Sequence, residues 1–294
     1  MKKLQSGILV AAAIIAFSSC KKNSDETPES PDMNTAVAVA TGDQVASQQF
    51  SDVFNISLGV QSSDAGEDVG MGTSAGILYK PGGGEGTLGD QCFTVTVAPK
   101  VRGEWPKTIT WDFGNGCLGK DGKMRKGKII SIFTAPAYMP GAKISTTLEG
   151  YVVDSFAVSG TMTVENTTAN NQFGWKVDVI NGKITNTNTG FWRKWDATRT
   201  HTMVEGNSTP FNPMDDVYKI TGGAKASNSN GISWKGDITS PVEWKFDCKW
   251  ASKGQITFYW DQNPVPATLD FGNGSCDNKA TVSYKGYSKE ITLK

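Results

Sequence analysis

Histidine occurs once in the 294 residues, at position 201, and that scarcity removes most transition-metal chemistry at the outset. Zinc and iron sites draw on imidazole and thiolate ligands, and the cysteines have other work, so no metal or cofactor is expected. An excess of charge is also lacking. Basic and acidic residues number 29 each, and removal of Lys2 and Lys3 with a leader leaves a slight acidic surplus. Such a chain has no electrostatic ground for holding nucleic acid. Past the first twenty residues no apolar run is long enough to cross a bilayer. Nothing reads as a strand–helix–strand unit, so the glycines of Gly70-Met71-Gly72-Thr73-Ser74-Ala75 have no dinucleotide fold to serve. Gly82-Gly83-Gly84-Glu85-Gly86 lacks the lysine of a phosphate cradle and carries a carboxylate instead. Calcium stays open, because Asp, Asn and carbonyl oxygens crowd the stretch from Asp112 to Asp121, although no EF-hand spacing is present.

What is there begins with an export signal. Lys2 and Lys3 precede an apolar run from Ile8 to Phe17, too short to span a membrane, and Phe17-Ser18-Ser19-Cys20 closes it. These four residues resemble a lipobox, with Phe17 standing where leucine is more usual. The expectation is a signal peptide over residues 1–19 and a lipoprotein anchored by diacylglycerol and palmitate on Cys20. Residues 20–40 then form a tether, since Lys21 to Pro31 is charged, holds two prolines and has nothing apolar to bury. Membrane contact runs through the lipid. The protein is placed in the cell envelope, at the outer membrane, on either face.

With Cys20 assigned to lipid, Cys92, Cys117, Cys248 and Cys276 remain, an even number that in an oxidising envelope suggests two disulfides. An internal repeat narrows the three possible pairings. Thr108 to Cys117 (TITWDFGNGC) is echoed by Ala267 to Cys276 (ATLDFGNGSC), and each copy has a second cysteine a similar distance upstream. If each pair closes a hairpin, the turns fall at Glu104/Trp105, between Gly103 and Pro106, and in Asp261-Gln262-Asn263-Pro264. Both are turn chemistry, which pairs Cys92 with Cys117 and Cys248 with Cys276.

Period two dominates from residue 90 onward. Val242, Trp244, Phe246, Cys248 and Trp250 alternate with Glu243, Lys245, Asp247 and Lys249, a strand with one side in a core and the other in water. Further strands are expected over 129–134, 144–153, 156–164, 175–180, 192–204, 218–221, 232–238, 256–260 and 281–284, with Asn181-Gly182 and Asn230-Gly231 as tight turns. One short helix is predicted from Gly42 to Asn55, with Thr41 as its cap and Gln44 completing a capping box. The glycine-rich stretch from Ser57 to Gly89 reads as a loop. The fold class is therefore all-β, a large antiparallel twisted sheet or open barrel of hairpins with one short N-terminal helix. Residues 41–89 form the helix and loop, and residues 90–294 the β-rich domain containing the repeat.

Three constellations compete for function. Asp112 and Asp270 occupy equivalent places in the repeat, and paired carboxylates could hydrolyse a glycoside. An Asp before Phe-Gly-Asn-Gly is, however, well placed to accept turn N–H groups, and that structural role is the stronger reading. Gly72-Thr73-Ser74-Ala75-Gly76 matches a nucleophile elbow in its letters, but its flanks are loop-like and His201 is its one possible base. In Phe191-Trp192-Arg193-Lys194-Trp195 a strand puts Phe191, Arg193 and Trp195 on one side, able to stack on a sugar ring or engage an anion. Packing is the stronger reading here too, because tryptophans in a β protein mostly fill cores.

The lipobox, the tether, Asp52-Val53-Phe54, the paired Asp-Phe-Gly-Asn-Gly turns, Arg125 to Ile130 (RKGKII), Tyr218 to Gly222 (YKITG) and Cys276 to Ala280 (CDNKA) together resemble a family of outer-membrane lipoproteins of Bacteroidota-type bacteria. The resemblance implies a β-rich, outer-membrane-associated protein and supplies neither an activity nor a functional residue. The leading expectation is a non-enzymatic binding protein for a glycan, an apolar ligand or an envelope partner. The alternatives are a carbohydrate-active hydrolase using paired carboxylates and a structural subunit of a surface assembly.

Overall fold

The computed structural model describes residues 31–58, 92–101, 103–119, 121–209, 215–261 and 263–293. The stretch expected to be a signal peptide, Cys20, Ser74 and the glycine-rich segment around it lie outside the described residues. One helix, α1 (Pro31–Leu58), precedes fourteen strands. They are β1 (Thr94–Ala98), β2 (Lys107–Asp112), β3 (Cys117–Leu118), β4 (Met124–Phe133), β5 (Lys143–Val153), β6 (Phe156–Asn166) and β7 (Gly174–Asn186). The series continues with β8 (Trp192–Glu205), β9 (Val217–Asn228), β10 (Ser233–Lys245), β11 (Lys253–Trp260), β12 (Ala267–Asn273), β13 (Lys279–Tyr284) and β14 (Tyr287–Thr292). All pairings are antiparallel, and the strand order is the chain order apart from β3, which pairs with β4 outside the main path. This is the expected meander of hairpins. It is an open sheet, not closed into a barrel.

The sheet bends round the helix. Every ladder from β4–β5 to β11–β12 carries a register shift, whereas the ladders at the two ends run without one. An extra residue in one strand bends it and sharpens its twist, so bulges along the middle of the sheet turn it concave. The helix contacts β4, β6, β7, β8, β11, β13 and β14, strands from both ends of the order. Asn181-Gly182, expected to be a tight turn, is one of these bulges. Asn181 takes φ 54° within β7, and the ladder to β8 shifts between Val179 and Gly182. A side chain at 182 would strike the Trp195 carbonyl and the Phe50 ring, so glycine is what lets the helix approach there. Asn230-Gly231 is the expected turn, closed by the Gly231 N–H donating to the Asn228 carbonyl at 3.1 Å.

The helix is longer than its sequence pattern suggests. Residues 31–40, read as tether, are its first three turns, and at ~1.5 Å per residue the 28-residue helix is roughly 42 Å long. Thr41 and Gln44 lie inside it and cap nothing. Gly42 looked like a boundary because glycine costs a helix about 1 kcal/mol. Here it serves packing: a Cβ at 42 would sit 3.1 Å from Arg193 Nε and 3.4 Å from the Trp234 ring. Apolar residues buried around the helix include Met33, Val39, Phe50, Val53 and Ile56. The tryptophans follow the packing reading, with Trp111, Trp175, Trp195, Trp234 and Trp260 all buried.

Both disulfides form as paired from the repeat, with Cα atoms 5.2 Å apart for Cys92–Cys117 and 5.7 Å for Cys248–Cys276. The hairpins they frame are β1–β2, at one edge of the sheet, and β11–β12, two strands in from the other edge. In the second copy the alternation breaks off at Lys245. Cys248 and Trp250 lie beyond the end of β10, so the strand expected to run to Trp250 stops five residues short.

Candidate functional site

The helix carries three acidic residues and no basic one, and the sheet answers each acid with a cation. Asp32 pairs with Lys285 at 2.9 Å, Asp43 with Arg199 at 3.5 Å, and Asp52 with both Lys123 and Arg125. The first pair is exposed. The other two are buried, and they differ in completeness.

Asp52 is fully engaged. Its Oδ1 accepts from Lys123 Nζ at 2.7 Å and Arg125 Nη2 at 2.6 Å, and its Oδ2 accepts from Arg125 Nε at 3.1 Å and the Tyr151 hydroxyl at 2.7 Å. Arg125 makes a second two-point contact with Asp121, at 2.9 and 2.6 Å. Burial by itself would push the Asp52 carboxyl up, but the Arg125 hydrogen bonds and the adjacent cations outweigh it and hold the group below its ordinary range. Next to this cluster, Ser57, Ser131 and Thr146 share buried hydroxyl hydrogen bonds, the shortest 2.8 Å between Ser131 and Thr146. Asp121 is thus committed to Arg125, and the stretch that offered calcium ligands has its carboxylates in ion pairs.

Asp43 is only half engaged. Trp195 Nε1 donates to its Oδ1 at 2.8 Å, but Oδ2 and Arg199 Nη2, although 3.5 Å apart, lack hydrogen-bond alignment. Arg199 Nε, Arg193 Nε and Trp234 Nε1 are also buried without a hydrogen-bond partner. Burial pushes the Asp43 carboxyl up by more than Arg199 and Trp195 recover, and it pushes Arg193 down. Burial thus holds the Asp43 carboxyl above its ordinary range even with the Arg199 guanidinium beside it.

Beside this seam a cleft of about 90 Å³ opens between α1 and strands β7, β8 and β9. Phe50, Phe54, Val177, Val179 and Ile220 supply apolar walls, Ser47 and Ser51 supply hydroxyls, and Arg199 and His201 line it from β8. Arg199 is 11 % exposed and the sole charged residue of the lining. His201 stacks on Phe54 with centroids 6.0 Å apart, and burial, helped by the Arg199 charge, lowers its pKa to about 4. It is neutral at physiological pH and too weak a base for proton abstraction there.

The residues singled out from sequence fall as follows. Phe191, Arg193 and Trp195 share one face, with the Arg193 guanidinium 4.6 Å from the Phe191 ring centroid. That face is concave and covered by the helix. Trp195 is buried and stacked on Phe50 at 5.6 Å, in line with the packing reading favoured from sequence, and the alternative of an open ligand platform does not hold for it. Asp112 Oδ1 accepts from the Gly114 N–H at 2.9 Å, and Asp270 Oδ1 from the Gly272 N–H at 2.8 Å, the turn-holding role in both copies. Their other oxygens take Lys128 at 3.0 Å and Gln255 at 2.8 Å. Among the described residues no group of three or more His, Cys, Asp and Glu could hold a metal ion. No role was read from sequence for Asp43, Asp52, Arg125 or Arg199, although Asp52 and Arg125 fall in stretches that carry the family resemblance. The signal available was the acid-only helix, whose two interior aspartates stand nine residues apart, two and a half turns, and so face opposite sides.

No protein family, curated protein or solved structure matches this chain.

Proposed function

We propose that the protein is an envelope lipoprotein, anchored through Cys20, that works by binding a small ligand in the interior of its curved sheet. The observation that carries this reading is the cleft at Arg199: apolar walls, two serine hydroxyls and a guanidinium whose buried nitrogens lack acceptors. A binding pocket combines these features, a mostly apolar concavity with a few convergent polar groups. Among the ligand classes open from sequence, an apolar ligand suits these walls better than a glycan. The Phe191–Trp195 face on which a sugar could have stacked is closed by the helix. A glycosidase reading loses ground because Asp112 and Asp270 are each held by their own turn and a neighbouring strand. The anchor rests on the lipobox and tether in the sequence, and the envelope location and the membrane as partner rest on the anchor.

The test is native extraction of the wild-type protein and a Cys20→Ala variant from their membranes, followed by intact mass and organic extraction of the purified chain. The expected result is a diacylglyceryl mass on a chain starting at Cys20, release of the variant into the soluble fraction, and a small organic molecule carried by both. A chain with no lipid and no carried molecule would overturn the reading.

A further inference from the structure

We propose that the cleft between α1 and strands β7 to β9 is a site for a small carboxylate with an apolar body, its carboxyl seated on Arg199. This deepens the binding reading and rests on it. The argument starts from charge. Arg199 is the sole charged side chain lining the cleft, and its nearest acid, Asp43, approaches at 3.5 Å without making a hydrogen bond. Arg199 Nε and Nη2 have no acceptor, and a guanidinium is planar and always charged, matched to a carboxylate by two parallel hydrogen bonds. Those two nitrogens are sealed in beside Asp43, so an arriving carboxylate would meet the part of Arg199 that stays 11 % exposed, as the one cation on the cleft wall.

Polarity and size define the rest. Phe50, Phe54, Val177, Val179 and Ile220 leave no donors for the several oxygens of phosphate or sulfate, which would strip the water from such an ion without replacing it. They suit a hydrocarbon body. Ser47 and Ser51, on the helix side, can donate to a carboxylate or to each other's neighbours without adding charge. His201, stacked on Phe54 and uncharged, contributes surface and not a second cation. A volume of about 90 Å³ is smaller than the roughly 150 Å³ of an apolar cavity that takes benzene, the scale of a chain of about four carbons.

Butyrate is the probe, titrated into the full native chain and followed through the Trp195 indole N–H resonance and by calorimetry. Butanol and butylamine serve as controls of the same length. The expected result is saturable one-to-one binding of butyrate in the millimolar range, weaker binding of butanol, and none of butylamine. Arg199→Gln should weaken butyrate roughly tenfold or more, as loss of a charge-assisted hydrogen bond implies. Ala197→Leu, which fills the cleft from its β8 wall and keeps Arg199, should also abolish binding, so the proposal survives if Arg199→Gln fails to fold. Butanol binding as tightly as butyrate, or butyrate binding unchanged in folded Arg199→Gln, would reduce the site to an apolar cleft and overturn the carboxylate assignment. No butyrate binding at all would overturn it too. In either case a molecule recovered by native extraction would leave the broader binding reading standing.

Discussion

Asp43 and Asp52 lie on the same helix, both buried, two and a half turns apart, and the sheet treats them in opposite ways. At Asp52 two cations and a tyrosine hydroxyl satisfy both oxygens, and Asp121 balances the second face of Arg125. At Asp43 five buried polar atoms on four side chains have no hydrogen-bond partner. A satisfied buried network holds its elements in one arrangement, whereas each unmet buried group costs about 1–3 kcal/mol. The helix is therefore fastened at its C-terminal end, against β4 and β5, and held with less complementarity where it crosses β8 and β10. A fold optimised only for stability would have closed that second seam with apolar side chains. Its persistence next to a cleft is what connects the packing of this molecule to a binding role.

The contrast can be broken most forcefully at Arg125. Arg125→Met would leave Asp52 and Asp121 without their shared cation and should lower stability by about 3–5 kcal/mol, read from urea unfolding. A loss below ~1 kcal/mol would mean the network fastens nothing. His201 sharpens the other side. Its folded pKa of about 4 lies below the ordinary 6.5, so the neutral form contributes stability that is full above pH 6.5 and lost as pH falls towards 4. Wild type should lose up to about 3 kcal/mol across that window, and His201→Phe, which keeps the stack on Phe54, should flatten this part of the profile.

Asp216 supplies a reference outside both networks. Burial, and next the charge of Asp215, raise its pKa to about 6 against the ordinary 3.8, the Tyr218 hydroxyl offsetting part of this. The raised value means that stability present below about pH 4 is lost as pH rises through 6. Asp216→Asn should therefore gain about 2 kcal/mol at pH 7 and nothing at pH 4, in paired thermal melts. The smallest effect is expected at Asp43. Asp43→Asn keeps an acceptor for Trp195 and removes a charge that burial already disfavours, so it should leave stability at pH 7 within about 1 kcal/mol of wild type, whereas Asp52→Asn, which loses a satisfied carboxylate, should cost more. Equal costs for the two substitutions would erase the distinction.

Much of the sheet was legible because its physics is local. Alternation of apolar and polar residues marks a strand with one wet face, and the Asp-Phe-Gly-Asn-Gly repeat with its upstream cysteines encodes two hairpins and their cross-links. The helix was half legible for a reason equally physical. Its apolar residues point to several sides, since the sheet surrounds it, and Ala36 to Ala40 (AVAVA) shows no single stripe. Gly42 and Gly182 misled in the same manner: each looked like a break or turn and is instead a point of close approach between helix and sheet. The candidate site was hidden more deeply. Arg199 is one cation in a strand of alternating polar residues, and its meaning depends on Asp43, which is 156 residues away in sequence and brought to it by the curvature of eight bulged ladders. The aromatic and arginine pattern of Phe191, Arg193 and Trp195 pointed to this strand and face, and packing, the reading favoured for it, describes Trp195 better than a ligand surface does.

Native-state amide hydrogen exchange of the intact chain measures the uneven fastening of the helix directly. The account predicts that amides of residues 36–47, with those of β8 facing them, open at lower free energy than amides of residues 50–58 and of β4 and β5, and that butyrate narrows the difference. Uniform protection along the helix, insensitive to butyrate, would contradict it.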